Sequence, residues 1–220
     1  MISGVGRVST SRSYRSTVRE ESARRTRQLV ADAARELFLT EGYAETSVAA
    51  IARRAGVSTQ TVYNVFGTKA DLLKHLYDVT LVGDDEPIPF AERPEVAELY
   101  SRADPREFLE GYAAIGQVLL DRLGPLLRAI TAGAAGGNPD LVAHLDTIGS
   151  ERLVGATMAA RRVAELGGLR PDVSLEEARD AIWMLNSMEV WQLLTVSRGW
   201  SSERYVAWLG RAMVDAVVRR

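Results

Sequence analysis

Hydrogen-bonding side chains dominate the stretch AGVSTQTVYNVFGTK, residues 55–69. Its two amides, Gln60 and Asn64, can each pair with an adenine base through two hydrogen bonds, and a threonine methyl group can contact that of thymine. Tyr63 and Lys69 can bind phosphates, which fixes position without reading sequence. This stretch therefore has the chemistry to recognise double-stranded DNA. Its candidate contacts are Ser58, Thr59, Gln60, Thr61, Tyr63, Asn64 and Lys69.

Two short helices are predicted to present these side chains. Thr46 or Ser47 can cap the first helix, Gly56 ends it, and Ser58 can cap the second. Two helices joined by a sharp glycine turn are typical of the helix-turn-helix, whose second helix lies in the major groove of DNA. A capped helical hairpin with a polar face towards solvent explains the same pattern, so this alternative stays open.

Charge is divided unevenly along the chain. Residues 1–76 contain 12 Lys/Arg and 7 Asp/Glu, whereas residues 77–220 contain 15 and 22. A basic N-terminal part suggests a polyanionic partner for that part alone. Chance and a solvated basic tail are the alternative, because seven of the basic residues precede residue 28.

The composition excludes several protein classes. Hydrophobic residues make up 46% and charged residues 25% of the chain, as in ordinary globular proteins. No apolar run reaches the roughly 18 to 20 residues that span a bilayer, and the N-terminal residues lack the apolar stretch of a secretory signal. There is no cysteine, which excludes disulfides and thiolate metal sites. We therefore expect a cytoplasmic protein with no membrane partner, no metal and no cofactor.

Helical periodicity continues along the chain without useful strand-like alternation, so the predicted fold class is all-α. A flexible basic arm is expected over residues 1–21, a three-helix DNA-binding domain over 22–67 and a connecting helix over 68–82. A Pro-rich acidic loop then opens a larger helical domain, residues 83–220. Within it, Gly124-Pro125 is expected to interrupt the chain, and one helix is expected from the capping box at Ser174 to Gly199.

A resemblance to a known family rests on residues 40–73, TEGYAETSVAAIARRAGVSTQTVYNVFGTKADLL. They resemble the DNA-binding signature of the TetR family of bacterial transcriptional repressors. The shared pattern includes Gly-Tyr before a Thr-Ser cap, Ile-Ala-x-x-Ala-Gly-Val-Ser, Thr-x-Tyr-x-x-Phe, and a lysine that opens the fourth helix. Val65 departs from it, because a histidine that could bind phosphate is common there.

The resemblance implies a homodimer, an N-terminal helix-turn-helix domain, and a divergent helical domain that binds a small inducer and dimerises. It also implies phosphate contacts for Thr46 and Ser47 at the start of the second helix. The close match covers roughly residues 25–77. Beyond them, only the number of helices and the final helix pair fit the family.

In this family the last two long helices usually pair with their copies. The segments AIWMLNSMEVWQLL and YVAWLGRAMVDAVV suit that role, because they hold more apolar residues than one side of a helix needs. The alternative is that these residues form the core of a monomer. The candidate interface residues are Met188, Trp191, Trp208 and Met213.

A ligand cavity is expected within the helices from Asp104 to about Arg198. Such a cavity is mostly apolar, with a few polar groups that orient the ligand. In the alternative interpretation the aromatic residues are ordinary core and Glu189 lies at the rim of the dimer. The candidate ligand contacts are Phe108, Tyr112, Ile115, Met158, Trp183, Asn186 and Glu189.

The predicted function is a ligand-responsive transcriptional regulator: a repressor that binds a palindromic operator as a homodimer and is released by a small apolar or aromatic effector. An activator with the same DNA-binding part is the nearest alternative, followed by a protein-interaction domain and an enzyme. Nothing favours an enzyme, because His75 and His144 lie in different predicted domains and no catalytic triad, zinc spacing or phosphate loop occurs.

Overall fold

A computed structural model describes the backbone of residues 10–84, 86 and 88–219, and the side chains from residue 20 onward within those ranges. This part of the chain contains ten α-helices and no strand beyond one isolated bridge, between Leu169 and Val218. The all-α prediction is therefore confirmed. The chain forms two compact units, the first ending at Leu76 and the second beginning at Tyr77.

The first unit contains three helices and the start of a fourth. These helices are α1 (Thr10–Thr40), α2 (Val48–Ala55), α3 (Thr59–Phe66) and α4 (Lys69–Val82). Helix α4 continues beyond Leu76, so its last residues belong to the second unit.

Helix α1 begins earlier than the sequence suggested. Residues 1–9 of the expected arm lie outside the described residues, but the backbone is helical from Thr10, well before Ser22. No glycine or proline occurs between Arg7 and Thr40, so no residue in this stretch ends a helix locally.

The caps of α2 and α3 explain why the two helices meet at a sharp turn. The Ser47 hydroxyl accepts a hydrogen bond from the Ala50 N–H at 3.1 Å, and the Ser58 hydroxyl accepts one from the Thr61 N–H at 3.0 Å. Between them Gly56 has φ of +69°, a left-handed conformation that glycine adopts without steric cost. Apolar residues of all four helices then form one buried core. Among them are Val30, Ala34, Phe38, Ile51, Val62, Phe66, Leu72 and Leu73.

The second unit is a bundle of longer helices around α6. After a 3₁₀ turn at Phe90–Glu92 come α5 (Pro94–Ser101), α6 (Pro105–Ala135), α7 (Pro139–Glu165), α8 (Leu175–Leu185), α9 (Met188–Trp191), a π-helical segment (Gln192–Ser197) and α10 (Ser202–Val217). Helix α6 packs against α7 and α10, and α8 packs against α7.

Helix α6 passes through Pro125, so the expected interruption at Gly124-Pro125 is wrong. A proline inside a helix removes one backbone hydrogen bond, and tertiary packing can offset that loss. Here the six-membered ring of Trp191 lies against Gly124: a Cβ atom at residue 124 would be 2.5 Å from Trp191 Cη2. Packing of Trp191 against Gly124 therefore stabilises α6 at the position where Pro125 weakens it.

The single helix expected from Ser174 to Gly199 is also wrong, because it is broken at Asn186. Its capping box is present: Ser174 and Glu177 exchange side-chain and backbone hydrogen bonds. Asn186 ends α8, and the Ser187 hydroxyl accepts from the Val190 N–H at 3.3 Å to begin α9. Asparagine and serine hydrogen-bond nearby backbone groups outside helices, which favours a break at this pair.

Candidate functional site

Helix α3 has one buried side and one exposed polar side. Val62 is 3% exposed and Phe66 is buried beside it, so both belong to the core of the first unit. The hydroxyl and amide side chains lie mainly on the opposite side, and Tyr63 is 49% exposed. Exposed candidate contacts are Ser47, Ser58, Thr59, Gln60, Tyr63 and Asn64, while Thr61 is half-buried.

The polar side of α3 is organised by hydrogen bonds within the helix. Gln60 Nε2 donates to Asn64 Oδ1 at 2.8 Å, and the Ser58 and Thr61 hydroxyl oxygens are 2.8 Å apart. The first bond joins residues one helical turn apart, so both amides stand on the same face. The two side chains that could read bases are thus paired before any DNA is bound.

Lys69 fixes the turn between α1 and α2. Its ammonium group donates to the carbonyl oxygens of Tyr43 at 2.9 Å and Thr46 at 3.1 Å, and lies 4.1 Å from the centroid of the Tyr43 ring. The residue predicted to bind phosphate therefore also holds together the segment that ends in the cap of α2.

Thr46 does not fit the phosphate contact that the resemblance implies. Its side chain is fully buried, and its hydroxyl donates to the Gly42 carbonyl oxygen at 2.8 Å. A side chain without exposed surface cannot reach a phosphate on DNA. Ser47, which is exposed and caps α2, keeps its place as a candidate.

Two adjoining cavities, of about 270 Å³ and about 530 Å³, lie in the second unit. Their shared walls combine apolar residues with two polar ones: Tyr77, Leu81, Leu119, Arg152, Trp183 and Asn186. The smaller cavity adds Phe90, Tyr112 and Glu151, and the larger one adds leucines of α6. A mostly apolar cavity with a few polar groups is the usual form of a small-molecule site.

Four of the seven ligand candidates line these cavities. They are Tyr112, Trp183, Asn186 and Glu189.

The other three do not line them. Phe108 is fully buried and its ring contacts those of Tyr100 and Tyr112, so it belongs to the core. Met158 is 45% exposed, and Ile115 is half-buried outside both cavities. Helical spacing indicated inward and outward sides, but not which inward side chains face empty space.

Arg152 lines both cavities but was not among the ligand contacts predicted from the sequence. Its Nη2 atom donates to the carbonyl oxygens of Trp183 at 2.8 Å and Asn186 at 3.0 Å, and Cζ lies 5.1 Å from the centroid of the Trp183 ring. Burial lowers the pKa of this guanidinium. The sequence held a signal for it: Arg152 stands four residues from both Ile148 and Ala156, so helical periodicity places it on the inward side of α7.

Polar groups near Arg152 add hydrogen-bond donors and an acceptor to the walls of the cavities. Burial raises the pKa of Tyr77 and of Tyr112 to about 12, so both phenols stay protonated and can donate hydrogen bonds. The Asn186 Oδ1 atom is buried and has no hydrogen-bond partner among the described residues. Gly116 makes room for this amide, because a Cβ atom at residue 116 would overlap it.

A salt bridge secures the turn that carries Phe90. Arg93 is 7% exposed and donates two hydrogen bonds to the Asp84 carboxylate, at 2.7 and 2.8 Å. The hydrogen bonds from Arg93 lower the pKa of Asp84 to about 2. The described residues include no cluster of three or more histidine, aspartate or glutamate side chains arranged to hold a metal ion.

Three of the four interface candidates are buried within the chain itself. Met188, Trp191 and Met213 are 9% exposed or less, and Trp191 Nε1 donates to Asp121 Oδ1 at 2.9 Å. A side chain enclosed by its own chain has no surface left for a partner, so these assignments are corrected. Trp208 is half-buried, with its ring 6.0 Å from that of Trp200.

Other apolar residues near the end of the chain are exposed. Leu193 is 61%, Val196 56% and Met184 51% exposed. We call these three the outer apolar residues. In the described part of the chain, none of the helices has both the length and the apolarity to span a membrane.

Comparison with known proteins agrees with this architecture. Residues 30–76 match the model of the family described as bacterial regulatory proteins, tetR family. No curated protein matches the sequence.

Several solved structures share the fold. The SmeT–triclosan complex has a TM-score of 0.67 and 18% identity, over 88% of this chain and 92% of that one. The fatty acid degradation regulator FadR from Bacillus halodurans has a TM-score of 0.66 and 18% identity, over 85% and 97%. A transcriptional regulator from Saccharomonospora viridis in complex with choline has a TM-score of 0.63 and 21% identity, over 88% and 98%.

The exposed polar side of α3, its capped turn with α2 and the match over residues 30–76 all lie in the first unit, and the whole chain shares its fold with solved regulators. Residues 30–76 therefore match the N-terminal helix-turn-helix domain of the tetR family of bacterial regulatory proteins, and the chain shares its all-α fold, over most of its length, with solved transcriptional regulators.

Proposed function

We propose that this regulator is a cytoplasmic repressor that binds a palindromic operator as a homodimer and releases it when a small effector enters the pocket of the second unit. The observation that carries the proposal is that the chain has both an uncharged, hydrogen-bonding face on α3 in the first unit and a mostly apolar cavity in the second.

The face of α3 supports DNA reading for two reasons. The helix contains no aspartate or glutamate, whose charge would repel the phosphates on either side of a groove. Its exposed amides, Gln60 and Asn64, carry the groups that pair with adenine, while Tyr63 and Lys69 can bind phosphate. Ser47 and Ser58 are exposed at the two helix starts, where hydroxyl and N–H groups can bind DNA phosphates.

The outer apolar residues support dimerisation. Large exposed apolar side chains mark surfaces that bind another protein, and Leu193 and Val196 are only three residues apart, while Met184 also lines the larger cavity. A two-fold dimer would present two copies of α3 to half-sites roughly one DNA turn, about 34 Å, apart, and this accounts for a palindromic operator.

Helix α4 supports coupling between effector and DNA. It begins at Lys69 in the first unit, and its residues Tyr77 and Leu81 are walls of both cavities in the second. An effector that displaces this helix would alter the spacing of the two recognition helices and so spoil simultaneous docking. Complexes of two structural neighbours with triclosan and choline support a small organic molecule as the effector class.

Selection of bound sequences from random duplex DNA, at physiological salt, tests the DNA-binding part of the proposal. We expect a palindrome with half-sites about one turn apart. Binding without sequence preference, or no binding, would contradict it.

The regulatory part is tested by titrating an effector with and without saturating operator. Coupling is reciprocal, so operator must weaken effector binding by the factor by which effector weakens operator binding, typically about 5- to 150-fold. Equal effector affinities in both titrations would leave a DNA-binding protein that this pocket does not regulate.

A further inference from the structure

We propose that the effector is an amphipathic carboxylate that carries a hydroxyl or amide N–H group next to the carboxylate. The inference rests on the proposed role of the pocket as an effector site and assigns the chemistry of its occupant. The carboxylate binds Arg152, the neighbouring donor binds Asn186, and the apolar part lies along the leucines of the larger cavity.

The charge of Arg152 is the first reason. Within the described part of the chain, no carboxylate lies within ion-pair distance of this guanidinium, and its hydrogen bonds all come from Nη2. Glu189 stabilises this charge only from beyond ion-pair distance and is itself exposed, so the half-buried charge is costly, and backbone carbonyls offset only part of that cost. The Nε and Nη1 atoms remain as donors, and a guanidinium can hold a carboxylate through two parallel hydrogen bonds.

The same site disfavours a cationic effector. Arg152 already lies over the Trp183 ring, so an organic cation at that ring would meet a like charge. Glu151 and Glu189 also line the cavities, but both are exposed, and solvent and salt screen their charges more than that of Arg152. The two glutamates outnumber Arg152 on the walls, so the preference for an anion applies to the position beside the guanidinium, where charge is least screened.

The polar atoms around Arg152 define the second feature of the ligand. The phenols of Tyr77 and Tyr112 stay protonated and can donate to a carboxylate oxygen. Asn186 Oδ1, in contrast, is a buried acceptor without a hydrogen-bond partner among the described residues, while the side chain of the same residue also interacts with the Tyr112 phenol. A carboxylate has no donor, so a hydroxyl or N–H group beside it is needed to satisfy that atom.

The larger cavity defines the apolar part. Its volume of about 530 Å³ lies within the usual range for organic ligands, roughly 300 to 1,000 Å³. Four of its wall residues on α6 are leucines, and the spacing of three to four residues from Leu119 and Leu120 to Leu123, and from Leu123 to Leu127, places them along one apolar side of the helix.

Three probes of equal chain length separate these chemistries: decanoate, 1-decanol and decyltrimethylammonium, each titrated into the full-length protein without DNA. We expect decanoate to bind at least about tenfold more tightly than 1-decanol, since a hydrogen bond to a charged group adds roughly 1.5 to 3 kcal/mol. Equal affinities for these two, tighter binding of decyltrimethylammonium, or no binding of decanoate would overturn the proposal.

The variant Arg152→Met tests the assignment of the charge, with Arg161→Met as the matched control on an exposed position of the same helix. We expect decanoate affinity to fall by about tenfold or more in Arg152→Met alone, with 1-decanol affinity retained. If Arg152→Met fails to fold, Arg152→Lys replaces it. This variant keeps the charge but loses the planar guanidinium, so its affinity for decanoate should fall by less. Unchanged decanoate binding in the variant that folds would refute the role of Arg152.

The donor beside the carboxylate is tested by comparing 2-hydroxydecanoate with decanoate. We expect the hydroxy acid to bind more tightly to the wild type and to lose that advantage in Asn186→Leu. An equal affinity of both acids for the wild type would refute this feature. These titrations contain no DNA, so their failure leaves the operator selection untouched, and a failed operator selection leaves them untouched.

Discussion

The Lys69 ammonium group lies 2.9 Å from the carbonyl oxygen of Tyr43 and 4.1 Å from the centroid of the same residue's ring. One side chain of α4 thereby holds the turn that precedes α2. The proposed phosphate contact and this structural role belong to the same residue, and they can be separated by experiment.

Lys69→Ala should change both stability and DNA binding. Loss of two charge-assisted hydrogen bonds to carbonyl groups is expected to lower the free energy of unfolding by about 1 to 3 kcal/mol, as measured by urea denaturation. Operator affinity should fall for all duplexes alike, and its salt dependence should decrease by about one charge. Lys74→Ala, at an exposed position of the same helix, is the control. A changed sequence preference in Lys69→Ala would count against the assignment.

Gln60 and Asn64 should behave as a coupled pair. Each alanine substitution is expected to relax preference at one or two base pairs, at roughly 1 to 3 kcal/mol per pair. Because Gln60 Nε2 donates to Asn64 Oδ1 at 2.8 Å, removal of either residue frees the other to reorient. Effects on operator affinity in a double-mutant cycle should therefore be non-additive. Strict additivity would mean that the hydrogen bond has no part in DNA reading.

Leu193→Glu should produce monomers that remain folded. The side chain is 61% exposed, so the substitution should change the stability of a single chain by only about 0.5 kcal/mol, while a charge in an apolar interface prevents association. Sedimentation and operator binding measure the two effects. Val142→Glu, at a position 43% exposed on α7, should leave both unchanged. A dimer of Leu193→Glu with normal operator affinity would place the interface elsewhere.

Alkaline pH should destabilise the second unit through its pocket tyrosines. Burial raises the pKa of Tyr77 and Tyr112 to about 12, whereas tyrosine in an unfolded chain has a pKa of about 10. Between these values the unfolded state loses protons that the folded state keeps, so the contribution of these tyrosines to the free energy of unfolding is constant below pH 10 and falls from about 10 to 12. Urea denaturation across this range measures the fall, which should be smaller in Tyr112→Phe.

Sequence reasoning was most successful where local signals determine structure. The caps at Ser47, Ser58 and Ser174 depend on residues within one turn, and each is present as predicted or as one of two stated alternatives. The continuity of α6 through Pro125 was missed because a contact distant in sequence supports it, and the break at Asn186 was missed because its local Asn-Ser signal acts together with a distant contact. Trp191 packs against Gly124 in the first case, and Arg152 binds the carbonyl of Asn186 in the second.

The proposed sites show the same division between local and distant contacts. Amphipathic spacing identified the exposed side of α3, since its buried partners lie within the same few turns. It did not show which aromatic residues belong to the core and which line a cavity. Nor did it show that Trp191, Met188 and Met213 are buried in the chain and not exposed on its surface. Those distinctions depend on which distant helix fills the space next to each side chain.

The two glycines that receive side chains on α6 also constrain any redesign of effector specificity. Asn186 packs against Gly116, and Trp191 packs against Gly124. The segment that contains the break between α8 and α9 therefore contacts α6 at two points about two helical turns apart. A randomised library for a biosensor should keep both glycines, because any larger residue would push this segment outward and open the pocket. Leu119, Leu123 and Leu127 face the cavity from the same helix and are the positions at which variation could reshape it.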